Sequence, residues 1–376
     1  MFLRNVWYVA GWCSEFGPEA AARTIAGEPL VFFRAQGGEL VALEDRCPHR
    51  WARLSLGRVE GCELRCMYHG LKFSADGRCT EIPGQDRISS KLQVRKFPVV
   101  ERYQWAWVWT GDADLADEAL IPDVGLLDQP WRRLSTGQLD YEAHHALISD
   151  NLLDLSHIAF LHEKTLGRRP DGEPADKEIW RAQSGAEAKQ IDRGVRYEGW
   201  RTSEFSKSVI QAKSAPNGDT WSRLDYTVPG IFISHVVVYP VGTAAGCNFK
   251  APPPDLEPLG DNMSCQAVTP MTERTTRYFY SSGPRTSDLL EEEAQAMWAV
   301  AVEAFLEDQV MIEAQQKNID NHPGGQMGWI DADRGPGMFR AMMERMMRAE
   351  GSSVDSIPPK TEPAVRVGRR ALAGAS

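Results

Sequence analysis

Cys47-Pro48-His49 and, after sixteen intervening residues, Cys66-Met67-Tyr68-His69 decide how the rest of the chain reads. Each half carries one thiolate and one imidazole, C-x-H-x16-C-x2-H in all. A zinc finger pairs Cys with Cys and His with His along the chain, because each knuckle folds around one ion with like ligands. Mixed knuckles suit a [2Fe–2S] centre, in which two Cys hold one iron, two His hold the other, and each loop lends one of each. A structural zinc site is the alternative. Gly57, Gly61, Gly70 and Gly77 lie close enough to allow the tight loops either centre needs.

Outward from this stretch, residues 1 to about 110 show short β-type runs such as Pro29–Phe33, Leu40–Leu43 and Gln104–Trp109, separated by Gly, Pro and Asp signals. They predict a small all-β domain. Gly111 to Pro130 has no sustained period and reads as an interdomain connection. Ala143 to Leu161 places Leu147, Ile148, Leu152, Leu155, Ile158 and Ala159 near a 3.6-residue period, which predicts a helix. Strand character returns from about Glu178 to Ser282, as one large antiparallel sheet. A long amphipathic helix is expected from Ser287 to about Lys317 and a second helical piece from Met338 to Ala349.

Composition narrows the partners. The 376 residues hold 42 Lys+Arg and 52 Asp+Glu, a net charge of −10 with no basic block, which argues against nucleic acid or an anionic membrane as the main partner. Seven cysteines spread over this length are no disulfide framework and fit a reducing cytoplasm. The opening Met1–Ala10 lacks a basic n-region and reads as a strand, and no apolar run is long enough to span a membrane.

A second constellation, N-x2-D-x2-H-x4-H, runs from Asn151 through Asp154 and His157 to His162. Steps of three put Asn151, Asp154 and His157 on one side of a helix. The step of five to His162 leaves that side, so both imidazoles meet one ion only if the helix ends or distorts near Leu161. Two His and one carboxylate form the ligand set of non-haem Fe(II) oxygenases, with open positions for O₂.

Arg46-Cys47-Pro48-His49-Arg50 and Tyr68-His69-Gly70-Leu71 resemble the Rieske motif of aromatic-ring-hydroxylating oxygenases and related O-demethylases. Asn5–Ala10, Leu54–Gly57, Val99–Tyr103 and Gly111-Asp112 through Ile121-Pro122-Asp123 extend that resemblance, over about residues 1–320, to the vanillate and dicamba O-demethylase branch. It implies an α+β fold. An all-β Rieske domain would cover residues 1–115, with cluster loops at about 44–80. A larger helix-grip (START-like) catalytic domain would cover 116–350, with an antiparallel sheet and a long C-terminal helix, and 351–376 would be a mobile tail.

The resemblance also implies roles. Cys47, His49, Cys66 and His69 would hold the [2Fe–2S] cluster, and His157 and His162 a mononuclear Fe(II). The third ligand is assigned to Asp308; Glu307 competes and Glu303 does so distantly, each otherwise on a solvated helix face. Asp154, with Asn151 beside it in the motif, would link a metal-ligand His to a cluster His of the neighbouring subunit in a head-to-tail homotrimer. O₂ would be the co-substrate. The chain has no G-x-G-x-x-G fingerprint, so a flavin or ferredoxin-type reductase must feed it.

The implied reaction is hydroxylation of a substituted aromatic compound, with O- or N-demethylation and formaldehyde release favoured over ring hydroxylation or dihydroxylation. Ala267 stands where the dicamba enzyme has a substrate-gripping His, which puts that clamp in doubt. Ser234, His235 and Trp298 are candidates for the pocket wall, while His144 and His145 are expected to be structural. A different class, a Rieske ferredoxin-like electron carrier, is opposed by the His157/His162 pair and Asp308.

Overall fold

The computed structural model describes residues 2–166, 188–202 and 218–351. In the N-terminal lobe, strands β1 (Trp7–Trp12), β2 (Ala21–Ile25), β3 (Glu28–Arg34), β4 (Leu40–Glu44), β5 (Arg58–Glu60), β6 (Glu63–Arg65), β7 (Lys72–Ser74), β8 (Cys79–Glu81), β9 (Lys96–Phe97), β10 (Val99–Arg102) and β11 (Trp105–Trp109) build three antiparallel sheets. Their orders are β1-β11-β10, β2-β3-β4-β9 and β5-β6-β7-β8. All five residues of β11 are buried, because an alternation of Trp with Ala and Val fills both faces of the strand. Trp109 meets Trp7 edge-on with ring centroids 5.5 Å apart, and Trp105 lies 5.3 Å from Trp12.

The connecting stretch after β11 is ordered. Three short 3-10 turns, the first two opened by the Asp112 and Asp117 side chains, which accept from the amides two residues on, carry Ile121, Val124, Leu126 and Leu127 into the tryptophan cluster.

The C-terminal lobe is a seven-stranded antiparallel sheet. It contains β12 (Ser135–Tyr141), β13 (Lys189–Ile191), β14 (Gly194–Arg201), β15 (Asp219–Thr227), β16 (Ile231–Tyr239), β17 (Gly260–Thr272) and β18 (Thr275–Pro284), in the order β12-β18-β17-β16-β15-β14-β13. The expected sheet is therefore present in the described residues. The sequence reading did not anticipate β12. Residues 178–187 and 203–217 of the expected strand region, and the 352–376 tail, lie outside the described residues.

Among the described residues this lobe carries α1 (His145–Leu153), α2 (Ile158–Leu161), α3 (Glu291–Asn321) and α4 (Arg334–Ala349), with one more short helical turn at Thr243–Gly246. Three glutamates in the first turn of α3 complement its dipole, and Ala304, Asp308, Ile312 and Gln316 form its buried row at four-residue steps. Two expectations need correction. Helix α4 begins four residues earlier than Met338, at Arg334. The single helix expected from 143 to 161 breaks at Asp154, which is extended (φ −106°, ψ 98°). Its carboxylate accepts from the Ser156 amide at 2.8 Å and so starts a separate 3-10 turn over Leu155–His157. Asn151 and His157 consequently stand on different elements, not on one helix face.

Candidate metal centres

The two knuckles hang between β4 and β5 and between β6 and β7 and share one backbone pattern. The Cys47 amide donates to Ala52 and the Trp51 amide to Cys47, at 2.8 and 2.9 Å; the Cys66 amide donates to Leu71 and the Gly70 amide to Cys66, at the same two distances. In each loop the fourth residue after the Cys takes the left-handed conformation, Trp51 at φ 58° and Gly70 at φ 78°. A Cβ on Gly57 would sit 2.3 Å from the Arg65 carbonyl oxygen, so glycine is what lets one loop close on the other. Arg65 donates to the Gly70 carbonyl at 2.8 Å and bidentately to Glu81, bracing the second loop.

Cys47 and Cys66 are buried, whereas His49 and His69 are exposed with ring centroids 4.6 Å apart. Burial pushes the Cys47 thiol up to about 11, with the nearby Cys66 adding to the rise. A bound cation would offset that cost. Among the described residues, the one trio of donors that meets at single-ion spacing lies elsewhere, so these four do not close around one zinc. Sulfur donors inside and imidazoles outside fit a two-iron cluster that divides them between its metals.

That single-ion trio is His157, His162 and Asp308, with one donor atom from each lying within 4.8 Å of the others. Asp308 Oδ1 is 3.6 Å from His157 Nε2 and 3.3 Å from His162 Nε2, separations that ligands at about 2.1 Å from a common centre would show. The far ring nitrogens are occupied. His157 Nδ1 donates to the Asp154 carbonyl, and His162 Nδ1 donates to Glu307 Oε2 at 2.9 Å. Both Nε2 lone pairs are thereby left facing Asp308. Asn151 Nδ2 donates to Asp308 Oδ1 at 2.9 Å and fixes the carboxylate.

Burial holds His157 below its ordinary pKa against the pull of Asp308, so it stays a neutral donor. Burial also opposes charge on His162, but Asp308 and Glu307 together outweigh it and the value rises. With both imidazoles in the neutral form that ligation requires, they and the Asp308 carboxylate offer a divalent cation two nitrogens and one negative charge, a donor set that suits iron(II).

Of the two neighbouring carboxylates, Asp308 is the one that faces both Nε2 atoms. Glu307 is not on a solvated face: it accepts from His162 Nδ1 and from the Thr165 hydroxyl, on the side of the ring away from Asp308. The Asp154 carboxylate is taken by Ser156, and its carbonyl holds His157. His144 caps α1 and receives no role at the metal, though with His145, Asn151, Asp154, His157 and Trp329 it lines a cavity of about 970 Å³.

The proposed pocket-wall residues are not in that lining. His235 bonds Asp261 at 3.2 Å, Trp298 packs on Tyr280, and Ala267 is buried beside Phe279. The sequence named Glu307 only as a rival ligand, not as the partner of His162 Nδ1, and gave no sign of Thr165. The clue was available: a second carboxylate directly beside the assigned ligand.

Residues 141–349 match the vanillate O-demethylase oxygenase C-terminal domain, and residues 6–98 match the Rieske [2Fe–2S] domain. The chain belongs to the Rieske non-haem iron oxygenases. Within the family it is 37% identical to the iron-sulfur subunit of the toluene-4-sulfonate monooxygenase system of Comamonas testosteroni, over 93% of this chain and 98% of that protein. It is 30% identical to the oxygenase component of dicamba O-demethylase from Stenotrophomonas maltophilia, over 84% and 88%. The crystal structure of dicamba monooxygenase bound to dicamba superposes with a TM-score of 0.80 at 27% identity, covering 93% of this chain and 99% of that one. The cofactors of this Rieske oxygenase are accordingly a [2Fe–2S] cluster and non-haem iron. Among the described residues no helix is long and apolar enough to cross a membrane.

Proposed function

We propose that this chain is the terminal oxygenase of a multicomponent system and hydroxylates a methyl group on a substituted aromatic compound. The observation that carries this reading is the convergence of His157, His162 and Asp308 beside a cavity large enough for an aromatic ring. His157, His162 and Asp308 would hold an iron whose chemistry is O₂ activation, and Cys47, His49, Cys66 and His69 a cluster that would supply electrons for it. The chain's own part is positional: Asn151 holds the Asp308 carboxylate, and the Asp154 carbonyl and the Glu307 carboxylate hold the two imidazoles. A separate reductase fits the relatives' designation as oxygenase components.

Methyl on oxygen or nitrogen is the favoured target on the likeness to vanillate and dicamba O-demethylase oxygenase subunits, and its hydroxylated product would collapse to formaldehyde and a demethylated aromatic. The toluene-4-sulfonate likeness favours a second reading, in which the methyl stands on a ring carbon and the product is a stable alcohol. Incubation of holoenzyme and reductase with methoxybenzoates and with toluenesulfonate separates the two: formaldehyde from the former supports demethylation, and alcohol with no formaldehyde selects the second.

A head-to-tail homotrimer is part of the proposal. Trp51, Met67 and Tyr68 are exposed around the cluster loops, while Phe160, Val310 and Met311 are exposed near the mononuclear site. Two unlike apolar patches that pair between copies form a heterologous contact, and such contacts close into a ring of three when each turns the next copy by a third of a circle. Sedimentation should give three copies; a monomer at assay concentration would refute it. The partition into a cluster domain over 1–115 and a catalytic domain over 116–350 is proposed on the same grounds, each part holding one metal site.

A further inference from the structure

We infer that Glu307, with Thr165 behind it, is the positioning residue that fixes the His162 imidazole for the metal. The inference rests on reading His162 as a ligand. The two imidazoles are held by different means. His157 Nδ1 donates to the main-chain carbonyl of Asp154, so its orientation is built into the backbone. His162 lies just past the end of α2, in no regular element, and its Nδ1 is held by the Glu307 side chain at 2.9 Å.

Glu307 is itself locked. The same Oε2 accepts from the Thr165 hydroxyl at 2.7 Å, and Thr165 is buried in a turn whose amide donates back to the His162 carbonyl at 3.0 Å. On the far side of the ring, Asp308 Oδ1 stands 3.3 Å from Nε2. Consecutive carboxylates of one helix thus address the two nitrogens of one imidazole. A carboxylate on the distal N–H fixes the tautomer, aims the lone pair and raises the basicity of the ligating nitrogen.

The test uses the full-length protein with its [2Fe–2S] cluster retained and the mononuclear site stripped of metal. Co(II) alone is titrated calorimetrically, and its high-spin EPR signal reports the ligand field. Glu307→Ala should weaken Co(II) binding by about 10–100-fold and alter the EPR signal. Glu307→Gln, which keeps an acceptor but loses the charge, should fall between wild type and Glu307→Ala. Thr165→Val should weaken binding, and Thr165→Ser should restore it. Wild-type affinity in Glu307→Ala, with no binding in His162→Ala, overturns the inference. Unchanged affinity in both overturns instead the ligand reading beneath it. If Glu307→Ala fails to fold, judged by loss of the cluster absorption, the Thr165 pair decides, and equal affinities for Thr165→Val and Thr165→Ser refute the positioning role.

Discussion

Replacing Gly335 by alanine would press on the metal site from behind. Gly335 is buried in the first turn of α4, and a Cβ there would lie 1.7 Å from the Tyr197 hydroxyl oxygen and 2.7 Å from Cζ of its ring. Tyr197 cannot swing away freely, because its hydroxyl donates to the Leu153 carbonyl at 2.8 Å. Leu153 is the last residue of α1 and precedes Asp154, whose carbonyl holds His157. Overpacking of this kind costs about 1–3 kcal/mol, and loss of the hydroxyl bond about 1 more. Alanine's advantage over glycine in a helix returns roughly 0.5–1 kcal/mol. The net expectation is a loss of about 2 kcal/mol, together with weaker retention of the mononuclear iron. Tyr197→Phe alone should cost about 1 kcal/mol. The double variant should cost less than the sum of the singles, since removing the hydroxyl deletes the closest clash. Urea midpoints and iron content measure both effects. Stability of Gly335→Ala within about 0.5 kcal/mol of wild type, or strict additivity of the two changes, would refute the argument.

Further outcomes follow from the centres. His157→Ala should abolish turnover while leaving the cluster absorption unchanged, and retained turnover would sink its role as ligand. Asp308→Asn should leave only the cluster's iron on the purified chain, read by metal analysis; a full iron complement would return the third ligand to competition. Burial lowers His144 from 6.5 to about 4, so between these values the unfolded chain takes up a proton that the folded one refuses. That contribution is complete above pH 6.5 and is lost as the pH falls toward 4, at most about 3 kcal/mol. Urea midpoints at pH 7.5 and 4.5 should therefore converge in His144→Gln relative to wild type; an unchanged gap would contradict the assignment.

The cluster loops were legible because Cys47, His49, Cys66 and His69 are close in sequence, and the required residue types at that spacing have few other uses. Helix α3 was legible from its apolar period, although its ends moved by a few residues. The break at Asp154 was not. An aspartate at three-residue spacing looks like part of a helix face, and only the Ser156 amide it accepts from shows that it starts a new turn. Strand β12 escaped because Ser-Thr-Gly-Gln-Leu-Asp-Tyr offers only Leu139 and Tyr141 as apolar signals, and its pairing with β18 supplies the rest. The role of Glu307 as a partner of His162, rather than a rival ligand, escaped for a related reason. Its partners His162 and Thr165 lie 145 and 142 residues away, a distance no local pattern spans.

The apolar cores also run across the two lobes. Phe2, Leu3, Tyr8 and Phe32 pack in one cluster with Leu153, Tyr226 and Phe339, and the tryptophans of β1 and β11 share another with Ile231, Ala267 and Phe279. Glu350, past the end of α4, accepts from the amides of Arg4 and Asn5 at 2.8 Å each. The lobes are thus seamed together, and a hinge between them would have to tear apolar contacts along its whole length. A fragment ending near residue 115 would carry Phe2, Leu3 and five tryptophans stripped of their partners across the seam, and should aggregate. It follows that neither metal can be carried toward the other by a swinging arm within one chain: the spacing of the two centres inside that chain is a constant of the fold.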